Sequence, residues 1–274
     1  PYIREGNCLS NPEVITWQGN LLVQSDHGLL IKSRHKLSGI HVFGPDSDYT
    51  TLAISGLDYL TNSIKIKSFR VDQNLDHMTI QACAYSIDED SEWHIKCIEN
   101  QAAVQISKLD VDIDFDQGYP IDPNFIEQIE NAWTDEMLAV SQGAFVSEQA
   151  YRSAASSRLN LTSQTYGETK IWPPREMVGD VVPEIGGPLA KEGTIETWTK
   201  LSAGGAPSEF SLRAPILDGI STVFVQLSSG PKGVFLLADD EESQPRIGQT
   251  VTFAVRRLYA QEGLIRYGLK ALIA

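Results

Sequence analysis

Residues 245–270 read PRIGQTVTFAVRRLYAQEGLIRYGLK, and they contain two stretches rich in β-branched and aromatic residues, 249–258 and 264–269. This composition is typical of strands, and glycine between the two stretches predicts a hairpin. Three earlier stretches of the same kind lie at 193–200, 222–227 and 233–238. Short strands separated by glycine-rich turns predict a small closed barrel of the OB type, so the last part of the chain is expected to be all-β.

The first part of the chain combines strands with one helix. Runs of β-type residues lie at 14–23, 28–37, 63–71, 77–87 and 93–106. Asp48 is a suitable cap for a helix over 49–60, in which leucine and isoleucine side chains lie close to one face. A single helix followed by strands is the order of a hot-dog unit, in which a curved sheet wraps a helix. The sequence therefore predicts an α+β, hot-dog-like N-terminal domain.

Charge divides the chain unevenly. Residues 1–169 carry 24 acidic and 11 basic groups, whereas residues 170–274 carry 12 and 11, so most of the net charge of −14 lies in the first part. No lysine or arginine stands between Leu109 and Tyr151. Such a stretch is typical of a solvated connector or of a docking face for a basic partner. Apolar residues at helical spacing between Pro123 and Leu161 make this connector a predicted helix.

Composition and charge exclude several classes of protein. The chain has 274 residues, of which 42% are hydrophobic and 21% charged, as in ordinary globular proteins. A net charge of −14 opposes binding to a polyphosphate backbone, which argues against nucleic acid as a partner. No apolar run approaches the roughly 20 residues that cross a bilayer, so no membrane contact is expected. Three cysteines without a Cys-x-x-Cys pair predict neither disulfides nor a cysteine zinc site, and we expect a cytoplasmic protein.

The hairpin at 245–270 resembles the end of the acyl-CoA-associated OB-fold family that accompanies thiolases and HMG-CoA synthases. In that family the barrel ends with an R-I-G-x-x-V turn, an arginine-bearing strand and a final strand of the I-x-Y-G-x-K type. The matching residues here are Arg246, Ile247, Gly248 and Val251 in the turn, and Ile265, Tyr267, Gly268 and Lys270 in the last strand. The resemblance extends upstream to Gly193 and implies an OB fold that assists an acyl-thioester enzyme.

Members of that family usually carry a rubredoxin-like zinc ribbon before the barrel. A P-P-R link of such a ribbon is matched at 173–175. The four presumed ligand positions, however, read Ser163, Tyr166, Val178 and Val181. Valine offers zinc no ligand, so a degenerate, metal-free ribbon held by apolar packing is expected. The predicted segments are a hot-dog-like domain (1–120), an acidic helical connector (121–162), the ribbon remnant (163–192) and the OB-fold barrel (193–274).

A second resemblance points to an enzyme. His35, Gly39 and the displaced Pro45 are similar to the H-x-x-x-G-x-x-x-x-P signature of polyketide-type hot-dog dehydratases, and Asp218 resembles their second motif. In that chemistry a histidine removes the α proton of a thioester and a carboxylic acid assists loss of the β hydroxyl. The alternative function is therefore a dehydratase or hydratase with His35 as base and Asp218 as acid. This alternative leaves the hairpin at 245–270 unexplained, so the barrel is preferred.

Residues 43–48 are similar to an early segment of HMG-CoA synthase-type condensing enzymes, and Cys83 would then match their nucleophile. A catalytic cysteine needs activation by a helix N-terminus or by a histidine partner. Cys83 lies in an apparent strand within a chain too short for a thiolase fold. A buried, inert thiol is expected.

Arg256, Arg266 and Lys270 fall on neighbouring predicted strands of a nearly neutral domain. The guanidinium group suits phosphate, so these residues are candidate contacts for the phosphates of coenzyme A or of a phosphopantetheine thioester. A solvated outer face is the alternative, and no bound cofactor or metal ion is expected.

The favoured function is an accessory, non-catalytic subunit of a thiolase-like or ketosynthase-like acyltransferase complex. Its partners would be the catalytic subunit and an acyl-CoA or acyl-carrier-protein thioester. The interpretation rests on the closing-hairpin resemblance and on the lack of a complete nucleophile–base or metal constellation in the sequence. A pure binding module for coenzyme A is a third alternative.

Overall fold

The computed structural model describes residues 13–109, 113–139 and 148–274. Its N-terminal part contains β1 (Ile15–Trp17), β2 (Asn20–Ser25), β3 (Gly28–Ser33), β4 (His35–Leu37), β5 (Ile40–His41), α1 (Tyr49–Ser63), β6 (Arg70–Val71), α2 (His77–Ala82), β7 (His94–Ile98), β8 (Ala103–Ser107) and β9 (Tyr119–Pro120). The larger sheet has the strand order β1-β2-β3-β8-β7-β6, and a small sheet has the order β5-β4-β9. The predicted runs 14–23 and 93–106 are each a hairpin rather than one strand.

Helix α1 packs against the larger sheet. It begins as the sequence predicts, because Asp48 accepts a hydrogen bond from the N–H of Thr51 and the Thr51 side chain accepts one from the N–H of Asp48, which forms a capping box. A Cβ at Gly56 would lie only 2.9 Å from Cδ1 of Ile106, so glycine lets the helix approach the sheet closely. A helix packed on a mostly antiparallel sheet agrees with the predicted α+β class. The hot-dog assignment stays a prediction.

Two of the predicted strands are wrong over most of their length. Residues 77–82 form helix α2, because the Asp76 side chain accepts a hydrogen bond from the N–H of Thr79 and caps a helical turn. Of the run 63–71, only β6 at its end forms a strand. In both runs a local cap or the end of a preceding helix outweighs the β preference of the side chains.

The middle of the chain is helical and then forms a second small sheet. It contains α3 (Pro123–Leu138), α4 (Glu148–Ser153), α5 (Ala155–Asn160), β10 (Thr162–Tyr166), β11 (Thr169–Ile171) and β12 (Glu184–Pro188). The three strands have the order β11-β10-β12. Trp172 anchors this sheet, since its ring stacks 5.4 Å from that of Phe235 and its Nε1 donates to the Ser157 carbonyl. Helices α3, α4 and α5 lie within the stretch 123–161 that was predicted to be helical, whereas its role as a connector stays a prediction.

The last part of the chain is a closed barrel, as the sequence predicts. Its strands are β13 (Glu192–Leu201), β14 (Ile220–Leu227), β15 (Lys232–Leu237), β16 (Thr250–Gln261) and β17 (Leu264–Ile273). They close in the order β13-β14-β15-β17-β16, and β16 pairs back to β13. Each of the five predicted strands is present, so the all-β class of this part is confirmed.

The outer face of the β16–β17 hairpin is covered by the N-terminal part. Phe253 and Leu269 belong to the main apolar core, which also includes residues of α1 and of the larger sheet. Arg256 and Lys270, which alternate with them, point to the opposite face and meet Asp46 of the N-terminal part. Helix α1 also contacts β16, and the Arg257 N–H donates to the Asp46 carbonyl. The hydroxyl of Tyr267 reaches the Asp48 carboxylate, 2.7 Å away. The predicted division at residues 120, 162 and 192 stays a prediction.

Candidate functional site

Arg256 and Lys270 lie in the interface between the barrel and the N-terminal part, and each is about 1% exposed. Nζ of Lys270 is 2.9 Å from Oδ2 of Asp46 and also donates to Asp239. Nε of Arg256 lies 3.4 Å from Oδ1 of Asp46. Carboxylates neutralise these two residues and solvent does not reach them, so their positions do not support the predicted contact with a coenzyme A phosphate, which stays a prediction. Nothing in one strand's sequence reveals that both of its faces are covered.

The same carboxylates continue into a second set of contacts. Arg213, fully buried, donates from Nε to Oε1 of Glu136 at 2.8 Å and from Nη1 to Oδ2 of Asp239 at 3.0 Å. Its guanidinium also lies 3.9 Å above the ring of Trp133. Burial raises the pKa of Asp239, although the charge of Lys270 opposes this shift.

These side chains form what we call the buried ion network. Its members are Asp46, Glu136, Arg213, Asp239, Arg256 and Lys270. Three carboxylates face three cations, so the network carries no net charge when all six are ionised. Each buried charge therefore has a counter-charge, which burial in a protein requires. The network joins the N-terminal part, helix α3 and the barrel.

A cavity of about 590 Å³ lies next to this network. His35 and Arg34 line it from the N-terminal part, Phe125 from α3, and Asp240 from the loop after β15. Nε2 of His35 is 3.3 Å from Oδ2 of Asp240, and Nη2 of Arg34 is 3.4 Å from the same oxygen. A Cβ at residue 44 would stand 3.0 Å from Cδ2 of His35, so Gly44 leaves room for the ring.

The charge state of Asp240 decides what this pair can do. Burial alone would raise the pKa of Asp240, but the hydrogen bond with His35 and the nearby charges of Arg256 and Arg34 outweigh it and lower the pKa to about 2. The carboxylate is therefore ionised at neutral pH and has no proton to give to a leaving hydroxyl. It can orient the His35 ring and stabilise a positive charge on it.

Asp218 does not line the cavity at His35, so the structure does not bring together the predicted base and acid of the dehydratase alternative. Its side chain is 97% exposed and pairs with Nζ of Lys200 at 2.8 Å. This pair lies in a surface turn before β14, where Asp218 has a positive φ of 54°. The carboxylate that accompanies His35 is Asp240, which follows the predicted strand 233–238 in a run of four acidic residues. The acidic run was visible in the sequence, but the contact between Asp240 and His35, 205 residues away, was not.

The ribbon-like segment, residues 163–192, contains the small sheet of β10, β11 and β12. Among the described residues, no group of three or more His, Cys, Asp or Glu side chains could hold a metal ion. Ser163 is buried and donates to the carbonyl of Gly187 at 2.8 Å, whereas Tyr166 and Val181 are nearly half exposed. The predicted apolar packing of these positions is therefore wrong, and hydrogen bonds hold the strands together.

Two further candidates have clear positions. Cys83 is buried just after α2 rather than in a strand, and burial raises the pKa of its thiol to about 12, which confirms the inert thiol. Arg266 is buried on β17, where its guanidinium lies 4.4 Å from the ring of Tyr151. It pairs with none of the carboxylates of the buried ion network and lines a second cavity. None of the helices in the described ranges is long and apolar enough to span a bilayer.

Comparisons with known proteins do not assign this chain to a family. No protein-family model matches the chain, and no curated protein matches it. Among solved structures, a chain described as "Ltp2-ChsH2(DUF35) aldolase" aligns with 47% of this chain and 98% of its own length, at 17% identity and a TM-score of 0.33. An alignment at this level supports no inference about activity.

Proposed function

We propose that this chain is an accessory subunit of a thiolase-like or ketosynthase-like acyltransferase complex, in which it helps the catalytic subunit bind acyl-CoA or acyl-carrier-protein thioesters. The observation that carries the proposal is the closed barrel that ends in the hairpin 245–270. Its strands β16, β13, β14 and β15 are neighbours in that order, which is a Greek key, and this order supports the proposal of an OB-type barrel. The barrel and the closing motif thus both support the resemblance to the acyl-CoA-associated OB-fold family.

The residues of the closing motif have structural roles in this barrel. Gly248 has a φ of 86° and its N–H donates to the carbonyl of Ile195, which fixes the turn before β16. Tyr267 contacts the cap of α1, and Lys270 belongs to the buried ion network. The motif therefore holds the barrel against the N-terminal part, which leaves other surfaces for a partner.

The surface that we propose for the partner is the ribbon-like segment. It exposes several apolar side chains near one another in the chain: Tyr166, Met177, Val181, Val182 and Ile185. Ile185 is 88% exposed and Val182 71% exposed, which is costly for large aliphatic groups unless another surface covers them. Grouped exposed apolar side chains often mark protein–protein contacts.

Purification of the tagged full chain from the cells that make it tests this proposal. We expect a condensing enzyme of the thiolase or ketosynthase type to co-elute, and its turnover to fall when the chain is removed. The double change Val182→Asp and Ile185→Asp should abolish co-elution. Val234→Asp is the matched control, since Val234 is equally exposed on β15 of the barrel. A monomer that neither binds such an enzyme nor alters its turnover contradicts the proposal.

One observation favours a second function, the dehydratase or hydratase. His35 lines a cavity of about 590 Å³ with a carboxylate against its ring, so it has the position of a general base. In this version Asp240 replaces Asp218 and orients His35, which takes a proton from the attacking water and then delivers that proton to the α carbon of the enoyl thioester. His35→Ala should then abolish hydration of an enoyl thioester, and Asp218→Asn should leave it unchanged. Full activity of the His35 variant removes this alternative.

A further inference from the structure

A second cavity lies where helices α2, α4 and α5 meet β17, and it encloses about 140 Å³. Apolar side chains form much of its wall, among them Ala155, Leu159 and Ile265. Arg158 and Arg266 supply guanidinium groups to the same wall. The cavity is separate from the one at His35, since the two share no lining residue among those described.

Arg266 is a buried cation without a counter-charge. The residue is 3% exposed, and its side chain makes no hydrogen bond or ion pair to the residues that the structure describes. Its Nη1 is fully buried without a partner, although a guanidinium carries five N–H donors. The aromatic ring of Tyr151 at 4.4 Å is its main contact. Burial of a charge that lacks a partner is costly, so the site is incomplete as it stands.

Arg158 adds a second positive charge at the same place. Its guanidinium lies 3.9 Å from the Tyr151 ring, its Nε donates to the Tyr267 carbonyl at 2.7 Å, and its Nη1 donates to the Tyr151 carbonyl at 3.0 Å. Its Nη2 has no partner. These contacts fix the guanidinium, whose positive charge adds to that of Arg266 in the cavity wall.

No carboxylate neutralises the two arginines within the described part of the wall. Asp76 also lines the cavity, but its Oδ1 accepts the N–H of Thr79 as the cap of α2. The wall therefore places Arg158 and Arg266 next to apolar side chains. Thr79, Tyr151 and Arg152 also line the cavity. A wall that combines hydrogen-bond donors for an oxyanion with apolar surface suits an amphipathic anion.

We propose that this cavity binds a short-chain carboxylate, whose oxygens pair with the guanidinium of Arg266 while its alkyl chain packs against Ala155, Leu159 and Ile265. The volume limits the ligand, because a cavity of about 150 Å³ holds a molecule the size of benzene. An acid of four or five carbons therefore fits, and coenzyme A does not. The proposal needs neither the partner enzyme nor the barrel resemblance.

Titration calorimetry of the full chain with butyrate, at low ionic strength, tests this site. We expect saturable binding to the unchanged protein and binding at least tenfold weaker to Arg266→Met. Arg246→Met is the matched control, because it removes the same charge from an exposed position on the barrel and should bind butyrate normally. Equal affinity of the Arg266 variant and the unchanged protein overturns the proposal, as does the absence of saturable binding by the unchanged protein.

Two additions keep the test decisive if the Arg266 variant fails to fold. Ala155→Leu leaves both arginines in place and fills the cavity, so it should abolish butyrate binding, whereas Ala154→Leu, at an exposed neighbouring position, should not. Butyrate binding by Ala155→Leu with unchanged affinity contradicts the assignment to this cavity. Inorganic phosphate is the second probe. Arg266-dependent binding of phosphate without binding of butyrate overturns the choice of a carboxylate with an apolar chain.

Discussion

Lys270 and Arg266 stand four residues apart on strand β17, both buried, and their surroundings are opposite. Lys270 forms ion pairs with the carboxylates of Asp46 and Asp239. Arg266 contacts the ring of Tyr151 and has no ion pair with a described carboxylate. In a strand, residues four apart point to the same side, so one face of one strand supports both arrangements. Burial alone therefore does not show whether a cation has a structural role or is available to a ligand. The presence or absence of a counter-charge distinguishes the two.

The largest effect is expected from a substitution that breaks the ion pairs of Lys270. Lys270→Met leaves Asp46 and Asp239 with one cation fewer, and removal of one partner of a buried ion pair costs about 3–5 kcal/mol. We therefore expect the free energy of unfolding to fall by about that amount, as measured by urea titration with an unchanged m value. A loss below about 1 kcal/mol would show that the buried ion network contributes little.

Acid should weaken the contact between Asp240 and His35. The pKa of Asp240 is lowered from 3.8 to about 2 in the folded protein, so the stabilisation is present above about pH 4 and is lost as the pH falls towards 2. The shift corresponds to about 2 kcal/mol at 1.36 kcal/mol per pKa unit. Unfolding measured between pH 7 and pH 2 should show this loss, and the Asp240→Asn variant should lack that part of it. Identical pH profiles for the two proteins would contradict the low pKa.

Removal of the unpaired charge of Arg266 should change the free energy of unfolding in the opposite direction. Arg266→Met replaces a buried charge that lacks a partner with an apolar side chain of similar length, so we expect the free energy of unfolding to rise by about 1 kcal/mol without ligand. Chemical denaturation in a buffer free of carboxylates and phosphate measures this. A loss of several kcal/mol instead would mean that Arg266 has a counter-charge in solution.

The smallest effect is expected at a surface pair. Asp218→Asn breaks only the exposed contact with Lys200, and exposed ion pairs contribute about 0–1 kcal/mol. We expect a change in the free energy of unfolding below about 0.5 kcal/mol, which makes this variant the reference for the three above. A larger loss would place Asp218 in a role that its exposed position does not explain.

The fold was predictable where the information is local. The five barrel strands and the start of α1 at Asp48 follow from side-chain patterns and from one cap, and both are present. The strand expected at 77–87 fails because the cap at Asp76, three residues before Thr79, starts a helix instead. The signal for that helix was in the sequence, but β-type residues outweighed it in our interpretation.

The site was less predictable because it depends on contacts between distant parts of the chain. His35 was singled out as a candidate from the sequence, but the carboxylate beside it, Asp240, lies 205 residues later. Arg256 and Lys270 were expected to face a ligand, and Asp46 neutralises them instead. A pattern of alternating residues gives the face of a strand, and only the packing of the whole chain gives what covers that face.

The contact between Tyr267 and Asp48 has a consequence for how the protein is made. The hydrogen bond joins residues 219 positions apart, and it reaches the residue that caps α1. A ribosome therefore completes the N-terminal sheet and its helix long before β17 exists to cover them. During that interval Asp46 has neither Lys270 nor Arg256 beside it, so final docking of the first half waits for nearly the whole chain to be synthesised.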